Sequence, residues 1–188
     1  MRRLTAFNSV SLDGYFADAN GDVSWAHQSP DDAEWNAFVA GNASGGGALV
    51  FGRITYEMMA SFWPTPAAAQ AMPEVAKGMN AMPKYVITRT LTAVSWENAN
   101  LLRGNLVSKI RKLKEEPGPD LTILGSGSIV SQLAVAGLID ELQVVVIPVV
   151  LGKGRPLFSG VKKAISFKLL QSRTFGNGNV LLSYGPVE

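Results

Sequence analysis

The sequence predicts an α/β protein with a mostly parallel central sheet and a C-terminal antiparallel hairpin. From residue 3 to residue 147, short apolar runs typical of buried strands alternate with segments whose apolar residues recur at helical spacing. After that alternation, two strand patterns at 167–174 and 179–184 flank the turn sequence Phe175-Gly-Asn-Gly178. Alternating strands and helices are typical of a parallel sheet, and two strands around a glycine-rich turn are typical of a hairpin.

The first part of the chain is predicted to supply two strands and the helix between them. Residues 3–10 contain β-forming side chains, and the long connection at 14–30 is rich in turn residues, so we interpret that connection as a candidate lid. A helix is predicted to open at Ser29-Pro-Asp-Asp32, with Ser29 as the capping residue. The apolar run at 48–51 is expected to be a strand buried on both faces.

The later elements follow from the same periodicities. Residues 61–83 hold four prolines, so we expect an irregular surface connection with one short helix. A strand at 84–88 is followed by a loop with a short strand near Ser95-Trp96. Further predictions are an amphipathic helix at 105–114, a strand beginning at Leu121, a helix at 128–136 closed by Gly137, a β-branched strand at 141–147 and an exposed loop at 148–156.

The composition indicates one globular domain spanning residues 1–188 and excludes several kinds of site. The chain is 47% hydrophobic and 17% charged, with a formal net charge of +2. Its one basic cluster, residues 109–114, is interpreted as the solvent-facing side of a helix, so no nucleic-acid partner is expected. Because the chain has no cysteine and a single histidine, His27, we expect neither a disulfide framework nor a metal site.

No segment of the sequence indicates insertion into a membrane or secretion. Met1-Arg-Arg opens a short mixed segment that soon reaches Asn8 and Ser9, which is unlike the apolar core of a signal peptide. No apolar run approaches the length that spans a bilayer. We therefore expect a cytoplasmic protein without a membrane partner.

Three predicted strand ends carry residues suited to binding a phosphate. The main example is the stretch 121–130, where an apolar strand stops at Gly125-Ser-Gly127 and restarts as a helix. Short side chains let a ligand approach the backbone there, and the free N–H groups of a helix start favour an anion. Gly52-Arg53 and Thr88-Arg89 follow two further strands. A glycine-rich connection alone is also a common plain turn, so the prediction depends on the three strand ends together.

If the three strand ends line one crevice, their chemistry fits a dinucleotide that carries an additional phosphate. Ligands of open α/β sheets bind beyond the carboxyl ends of strands, and arginine binds phosphate through two parallel hydrogen bonds. Arg89 offers a positive charge where an acidic residue would otherwise take the ribose hydroxyls, which favours NADPH over NADH. The alternative interpretation of Arg89 is an ordinary surface arginine.

Five motifs in the same order resemble the dihydrofolate reductase superfamily and, within it, the RibD C-terminal reductase domain of riboflavin biosynthesis. They are Ser11-Leu-Asp-Gly14, residues 52–57, residues 86–90, residues 124–128, and Asp140-Glu-Leu followed by residues 148–152. The resemblance covers nearly the whole chain. It implies a dihydrofolate reductase-like three-layer α/β/α fold and a stand-alone NADPH-dependent reductase. One departure lies at Gly125-Ser126, where dihydrofolate reductases usually have adjacent glycines.

The resemblance also implies which residues bind the cofactor. Arg53 and Thr55 would lie at the pyrophosphate of NADPH, and Thr88 and Arg89 at its 2′-phosphate. The full set of implied cofactor-binding residues is Gly52, Arg53, Thr55, Thr88, Arg89, Gly125, Ser126, Gly127, Ser128 and Ile129.

The substrate implied is an aminopyrimidine or pterin-like small molecule, as for 5-amino-6-(5-phosphoribosylamino)uracil reductase. Residues 30–35 resemble the dihydrofolate reductase helix that carries a pterin-binding carboxylate, here Asp32. Such a carboxylate would pair with the ring and help to deliver a proton while nicotinamide supplies hydride. Helix capping is the alternative role of Asp32, and turn formation is the alternative role of Asp13, the other candidate catalytic acid. Trp35 and Gln28 are candidate substrate contacts.

Two other functions stay open at the level of the sequence. An authentic dihydrofolate reductase would share the cofactor site. A nucleotide-binding module without catalysis would share the phosphate-binding strand ends and would need no proton donor. The β-rich apolar surface of residues 144–150 and of the terminal hairpin is compatible with a homodimer.

Overall fold

The computed structural model describes residues 1–187, and none of its helices is both long and apolar enough to cross a membrane. The strands are β1 (Leu4–Ser11), β2 (Tyr15–Asp18), β3 (Ala48–Gly52), β4 (Lys84–Ile87), β5 (Ala99–Leu102), β6 (Leu121–Leu124), β7 (Glu141–Ile147), β8 (Gly154–Pro156), β9 (Phe167–Thr174) and β10 (Val180–Pro186). The helices are α1 (Ala33–Ser44), α2 (Arg53–Phe62), α3 (Pro66–Ala71), α4 (Pro73–Ala81), α5 (Leu106–Glu115) and α6 (Gly127–Val135), with one 3₁₀ turn at Ser24–His27.

Eight strands form one sheet in the order β5-β4-β3-β6-β1-β7-β10-β9. From β5 to β7 each strand is parallel to its neighbours, whereas β10 is antiparallel to both β7 and β9. Strands β2 and β8 form a separate antiparallel pair. The mostly parallel sheet and the C-terminal hairpin predicted from the sequence are therefore confirmed.

Helices pack on both faces of the sheet, as a three-layer fold requires. Consecutive residues of β3 point to opposite faces, so Val50 belongs to one core and Phe51 to the other. Helices α5 and α6 supply Ile110 and Leu133 to the core of Val50, and α4 supplies Met79 to the core of Phe51. Strand β3 is buried on both faces, as its continuous apolar run predicts.

The connection at 61–83 is helical, and the predicted irregular segment was wrong. Helices α3 and α4 begin with Pro66 and Pro73, each in the first helical turn. Proline is well tolerated there because the N–H that it lacks has no partner inside the helix and its fixed φ suits the helix. The prolines therefore mark helix starts in this segment, whereas we had interpreted them as breaks.

Helix α1 begins three residues later than predicted, because Asp32 caps it in place of Ser29. The Asp32 carboxylate accepts a hydrogen bond from the backbone N–H of Trp35 at 2.7 Å, and the helix starts at Ala33. The Ser29 hydroxyl donates to the side-chain oxygen of Asn179 at 3.0 Å, so it is engaged with the C-terminal hairpin instead.

The short strand predicted at Ser95-Trp96 lies three residues further on, at β5. The phenol oxygen of Tyr56 accepts hydrogen bonds from the backbone N–H groups of Ser95 and Trp96, at 3.0 and 3.1 Å. Those donors are therefore not available to pair with β4. The Trp96 ring is buried and packs against Phe51 with ring centroids 6.0 Å apart.

The two long connections at 14–30 and 148–156 are partly ordered by each other. Tyr15 to Asp18 pairs with Gly154 to Pro156 as β2 and β8, and the 3₁₀ turn buries Trp25. Both connections were predicted from the sequence to be loops, and each of them contains a short strand. Of the basic residues at 109–114, Lys109, Arg111 and Lys112 face solvent as predicted, whereas Lys114 is buried and pairs with Asp140.

Candidate active site at the carboxyl edge of the sheet

The three strand ends singled out in the sequence lie side by side. Strands β4, β3 and β6 are consecutive in the sheet and parallel, so all three end at the same edge. Thr88 follows β4, Gly52 ends β3 and Gly125 follows β6. The structure therefore brings the three predicted phosphate-binding segments to one crevice edge, where ligands of α/β sheets generally bind.

Ser126 connects two of these segments. Its hydroxyl oxygen accepts a hydrogen bond from the backbone N–H of Gly52 at 2.8 Å, and it lies 3.0 Å from the hydroxyl of Thr55. Ser126 adopts the left-handed conformation, with φ 55° and ψ 65°, which is unfavourable by about 1 kcal/mol for a residue other than glycine. The hydrogen bonds that hold the two turns together thus offset local strain in the backbone.

The glycines at these turns allow the backbones to approach closely. A Cβ atom at Gly52 would lie 2.6 Å from the Ser126 hydroxyl, and one at Gly127 would lie 2.6 Å from the ring of Phe16. Gly125 has φ +63°, and a Cβ there would lie 3.1 Å from Thr55. Close packing between the two turns therefore requires small residues, whether or not a ligand binds.

Helices α2 and α6 both begin at this edge without a side-chain cap. Neither Gly52 nor Ser126, the residues that precede the two helices, provides a side-chain hydrogen bond to the first turn. The N-terminal ends of both helices therefore carry partial positive charge and backbone donors that suit an anion. Ile129 offers less to an anion, because its N–H already donates to the carbonyl oxygen of Ser126 at 2.8 Å and its side chain is buried. Ser128 is exposed in the first turn of α6.

The two arginines at this edge differ in their partners. Arg53 forms an ion pair with Glu57 at 2.9 Å, one helical turn along α2. Arg89 is exposed and forms no ion pair with any residue in 1–187. The buried hydroxyl of Thr88 accepts hydrogen bonds from the N–H groups of Thr90 and Leu91, at 3.1 and 3.0 Å, so it builds the turn that presents Arg89.

Asp32 lies beside the C-terminal hairpin. Val180 pairs with Val146 near the end of β7, so the turn between β9 and β10 lies at the same edge of the sheet as the three strand ends. A Cβ atom at Gly176 in this turn would lie 2.6 Å from Oδ2 of Asp32. Trp35 packs edge-on against Phe175 with ring centroids 5.0 Å apart. Asp32 and Trp35 are both half-buried.

Asp13 has three hydrogen-bond donors and a clear structural role. Its carboxylate accepts from the hydroxyl of Ser11 at 2.6 Å and from the backbone N–H groups of Leu151 and Gly152, at 3.1 and 2.8 Å. These hydrogen bonds, first that of Ser11, lower the pKa of Asp13 below its usual value. The contacts favour the turn-forming role, and a catalytic role of Asp13 stays a prediction. Gln28 is exposed just after the 3₁₀ turn.

Sequence reasoning missed Phe16 and Gly176. Phe16 on β2 covers Gly127 at the start of α6, and Gly176 borders Asp32. Both contacts join segments that are distant in the chain, so no local sequence pattern predicts either of them. Two cavities, of about 230 and 300 Å³, lie away from this edge, beside β9 and near the N-terminus, and the predicted site residues do not line them.

The fold is that of an α/β domain with a crevice edge suited to anions, and comparison with known proteins gives its family. Residues 2–181 match the family model described as the RibD C-terminal domain. The chain belongs to this family. A curated relative, the uncharacterized protein YyaP of Bacillus subtilis strain 168, is 31% identical over 97% of this chain and 94% of its own.

Solved structures agree with the family and the fold. A putative riboflavin biosynthesis protein from Shewanella sp. PV-4 superposes with a TM-score of 0.75 at 26% identity, covering 99% of both chains. Dihydrofolate reductase from Enterococcus faecalis, solved in complex with NADP(H) and RAB-propyl, superposes with a TM-score of 0.66 at 14% identity, covering 99% of this chain and 97% of its own. The fold is therefore dihydrofolate reductase-like, as the sequence motifs implied.

Proposed function

We propose that this chain is an NADPH-dependent reductase of the RibD C-terminal domain type that transfers hydride to an aminopyrimidine or pterin-like small molecule. The observation that carries the proposal is the adjacency of the three phosphate-suited strand ends on β4, β3 and β6. The family match over residues 2–181 supports reductase chemistry and a single domain. A cytoplasmic location and pairing of two copies belong to the same proposal.

The cofactor fits the edge of the sheet through its phosphates. The uncapped starts of α2 and α6 receive the pyrophosphate, with Thr55 and Arg53 beside it. Arg89, exposed and without an ion pair in residues 1–187, receives the 2′-phosphate that distinguishes NADPH from NADH. When bound, NADPH supplies the hydride for the reduction.

Asp32 supplies the proton that completes the reduction. Its half-buried carboxyl group accepts hydrogen bonds from ring N–H groups of the substrate and, in its protonated form, donates its proton to the atom next to the carbon that receives hydride. The substrate thus gains a hydride, which carries two electrons, and one proton from Asp32, and Asp32 regains its proton from water. Trp35 and Gln28 border the ring.

The cofactor assignment is tested by titrating the protein with NADPH and with NADH while following tryptophan fluorescence. We expect tighter binding of NADPH, and we expect Arg89→Ala to weaken NADPH binding about tenfold while leaving NADH binding unchanged, because only NADPH carries the additional phosphate. Arg111→Ala, on the exposed side of α5, is the matched control. Equal binding of both nucleotides, unaffected by Arg89→Ala, would remove the proposal.

The reaction is tested separately from binding. Turnover of NADPH with aminopyrimidine and pterin substrates should be abolished or lowered at least about a hundredfold by Asp32→Asn, because the amide cannot deliver a proton. Dihydrofolate-dependent oxidation of NADPH together with methotrexate binding would identify an authentic dihydrofolate reductase. Unchanged behaviour of Asp32→Asn in every assay would favour a nucleotide-binding module without catalysis.

A further inference from the structure

The start of α1 and the C-terminal hairpin form one unit. The segment at 29–35, which carries Asp32, runs alongside the hairpin residues 173–179. Ion-pair, aromatic, hydrogen-bond and van der Waals contacts all occur between the two segments. The contacts are Glu34 with Arg173, Trp35 with Phe175, Ser29 with Asn179 and Asp32 with Gly176.

The hairpin turn is itself held in one conformation. The N–H of Phe175 donates to the carbonyl of Asn179 at 2.9 Å, and the N–H of Gly178 donates back to the carbonyl of Phe175 at 3.0 Å. The side chain of Asn177 accepts from the N–H of Asn179 at 3.1 Å. Asn177 and Asn179 are both buried. These hydrogen bonds within the turn make it a rigid surface for the segment at 29–35 to pack against.

Gly176 is the residue of this turn that lies against the Asp32 carboxylate. A Cβ atom at position 176 would have only Asp32 within 4 Å, with Oδ2 at 2.6 Å and Cγ at 3.8 Å. The other carboxylate oxygen is held by the N–H of Trp35 at 2.7 Å. Displacing Oδ2 would therefore turn the whole carboxylate and weaken the hydrogen bond that caps α1. The backbone of Gly176 is not in the left-handed region, so alanine is compatible with its φ.

We propose that Gly176 is a positioning residue, and that the turn at 175–179 fixes where the Asp32 carboxylate faces the substrate. The inference rests on the proposed function, because the position of Asp32 matters to catalysis only if that carboxylate touches the substrate. The absence of a side chain at 176 leaves room for Oδ2, and the bonding of the turn keeps the space from collapsing. The C-terminal hairpin is then part of the active site, although no chemical group of Gly176 takes part in the reaction.

Gly176→Ala tests the inference because it perturbs one neighbour. In protein labelled with ¹³C at the aspartate carboxyl carbons, we expect Gly176→Ala to shift the Asp32 signal. Gly41→Ala, a glycine on α1 with open space around its Cα, is the matched control and should leave that signal unchanged. An Asp32 signal that is the same in Gly176→Ala and in the parent protein would overturn the inference.

A binding experiment measures the consequence for the site. The probe is 2,4-diaminopyrimidine, which pairs with a carboxylate, added to the protein saturated with NADPH and followed by calorimetry. Gly176→Ala should weaken its binding about tenfold and leave the affinity for NADPH within about twofold. In an Asp32→Ala background the same substitution should have no further effect, because the atom that it displaces is absent. An equal loss in both backgrounds contradicts positioning through Asp32.

The outcomes separate this inference from the proposed function. If Asp32→Ala has no effect on probe binding and none on turnover, the catalytic assignment of Asp32 fails, and the role of Gly176 fails with it. If Asp32→Ala impairs both but Gly176→Ala impairs neither, only the inference fails. If the parent protein does not bind the probe, the proposed substrate class is contradicted, and the ¹³C signal of Asp32 alone decides whether the turn positions the carboxylate.

Discussion

At the scale of single residues, the carboxylates of Asp13 and Asp32 differ in the hydrogen bonds that they receive. Asp13 receives three hydrogen bonds, all of which stabilise its ionised form. Asp32 receives one, from the N–H of Trp35, at one oxygen. A carboxylate that is held ionised by three donors, as Asp13 is, is a poor proton donor near neutral pH. Proton delivery therefore suits Asp32 better than Asp13.

The role of Asp13 predicts a pH-dependent contribution to stability. Because its pKa is lowered in the folded protein from the usual value of 3.8, its hydrogen bonds stabilise the fold above that value and are lost as pH falls through the lower folded pKa. We expect Asp13→Asn to lower the urea midpoint at pH 7 and to lower it less at about pH 3. A difference that is equal at both pH values, or larger at the lower one, would contradict this account.

The environment of Lys84 predicts a large contribution of this residue to the stability of the fold. Its ammonium group is fully buried, lies 4.4 Å from the ring centroid of Trp96 and donates to the carbonyls of Asn80, Met82 and Glu97 at 2.9, 2.8 and 3.0 Å. Lys84→Met would leave these acceptors without a donor, and we expect a loss of about 3 kcal/mol in the free energy of unfolding at neutral pH.

The pH dependence of the Lys84 effect has a definite sign. Burial lowers the pKa of Lys84 from 10.5 to about 8. Between these values the unfolded chain holds a proton that the folded protein has released, so the stability of the parent protein rises with pH relative to Lys84→Met. Urea unfolding of both proteins at about pH 7 and about pH 10 measures this difference. A difference that shrinks toward pH 10 would show that the ammonium group is not penalised by burial.

At the scale of elements, the site depends on the order of strands rather than on any one motif. Each glycine turn is an ordinary connection by itself, and it becomes part of a crevice because β4, β3 and β6 are neighbours. The order of strands places the starts of α2 and α6 next to each other, where Ser126 joins them. The two uncapped helix ends can then act on one anion.

Ser126 allows strain and hydrogen bonding at this junction to be separated. Ser126→Ala removes the acceptor for Gly52 N–H and keeps the left-handed strain, whereas Ser126→Gly removes both. We expect Ser126→Ala to be less stable than Ser126→Gly by about 1 kcal/mol, and both to weaken NADPH binding about fivefold because the turns lose their connection. Urea unfolding and fluorescence titration provide the measurements, with Ser108→Ala, at an exposed position on α5, as the control. Equal stability of the two variants would mean that Ser126 is not strained.

The elements that the sequence predicted are those with strong local patterns. The apolar strands β3 and β7 and the terminal hairpin follow from their side chains alone. Strand β5 lacks a β-branched residue, and β8 is only Gly154-Arg-Pro156, so neither has a pattern to detect. The site divides in the same way, because each turn is visible in the sequence while the contact of Gly176 with Asp32 arises only when the hairpin folds onto α1.

At the scale of the whole molecule, one edge of the sheet is left without cover. Strand β9 ends the sheet and is exposed along most of its length, with Leu169 and Leu170 at 55% and 49% exposure. The unpaired N–H and C=O groups of such an edge, next to exposed leucines, favour pairing with another strand. The cavity lined by Phe158 and Phe167 lies beside it and adds apolar surface.

The homodimer predicted from the sequence is therefore expected to form through β9, with the two strands antiparallel across a twofold axis. Sedimentation velocity over a range of protein concentrations should detect a dimer, and Leu170→Lys should shift it to monomer because it buries a charge at the contact. Val135→Lys is the control, since Val135 is 64% exposed at the end of α6, away from β9. A parent protein that stays monomeric at about 0.1 mM would show that β9 tolerates exposure by itself, through its charged residues Lys168 and Arg173. A Leu170→Lys variant that still pairs would show that the dimer forms through another surface.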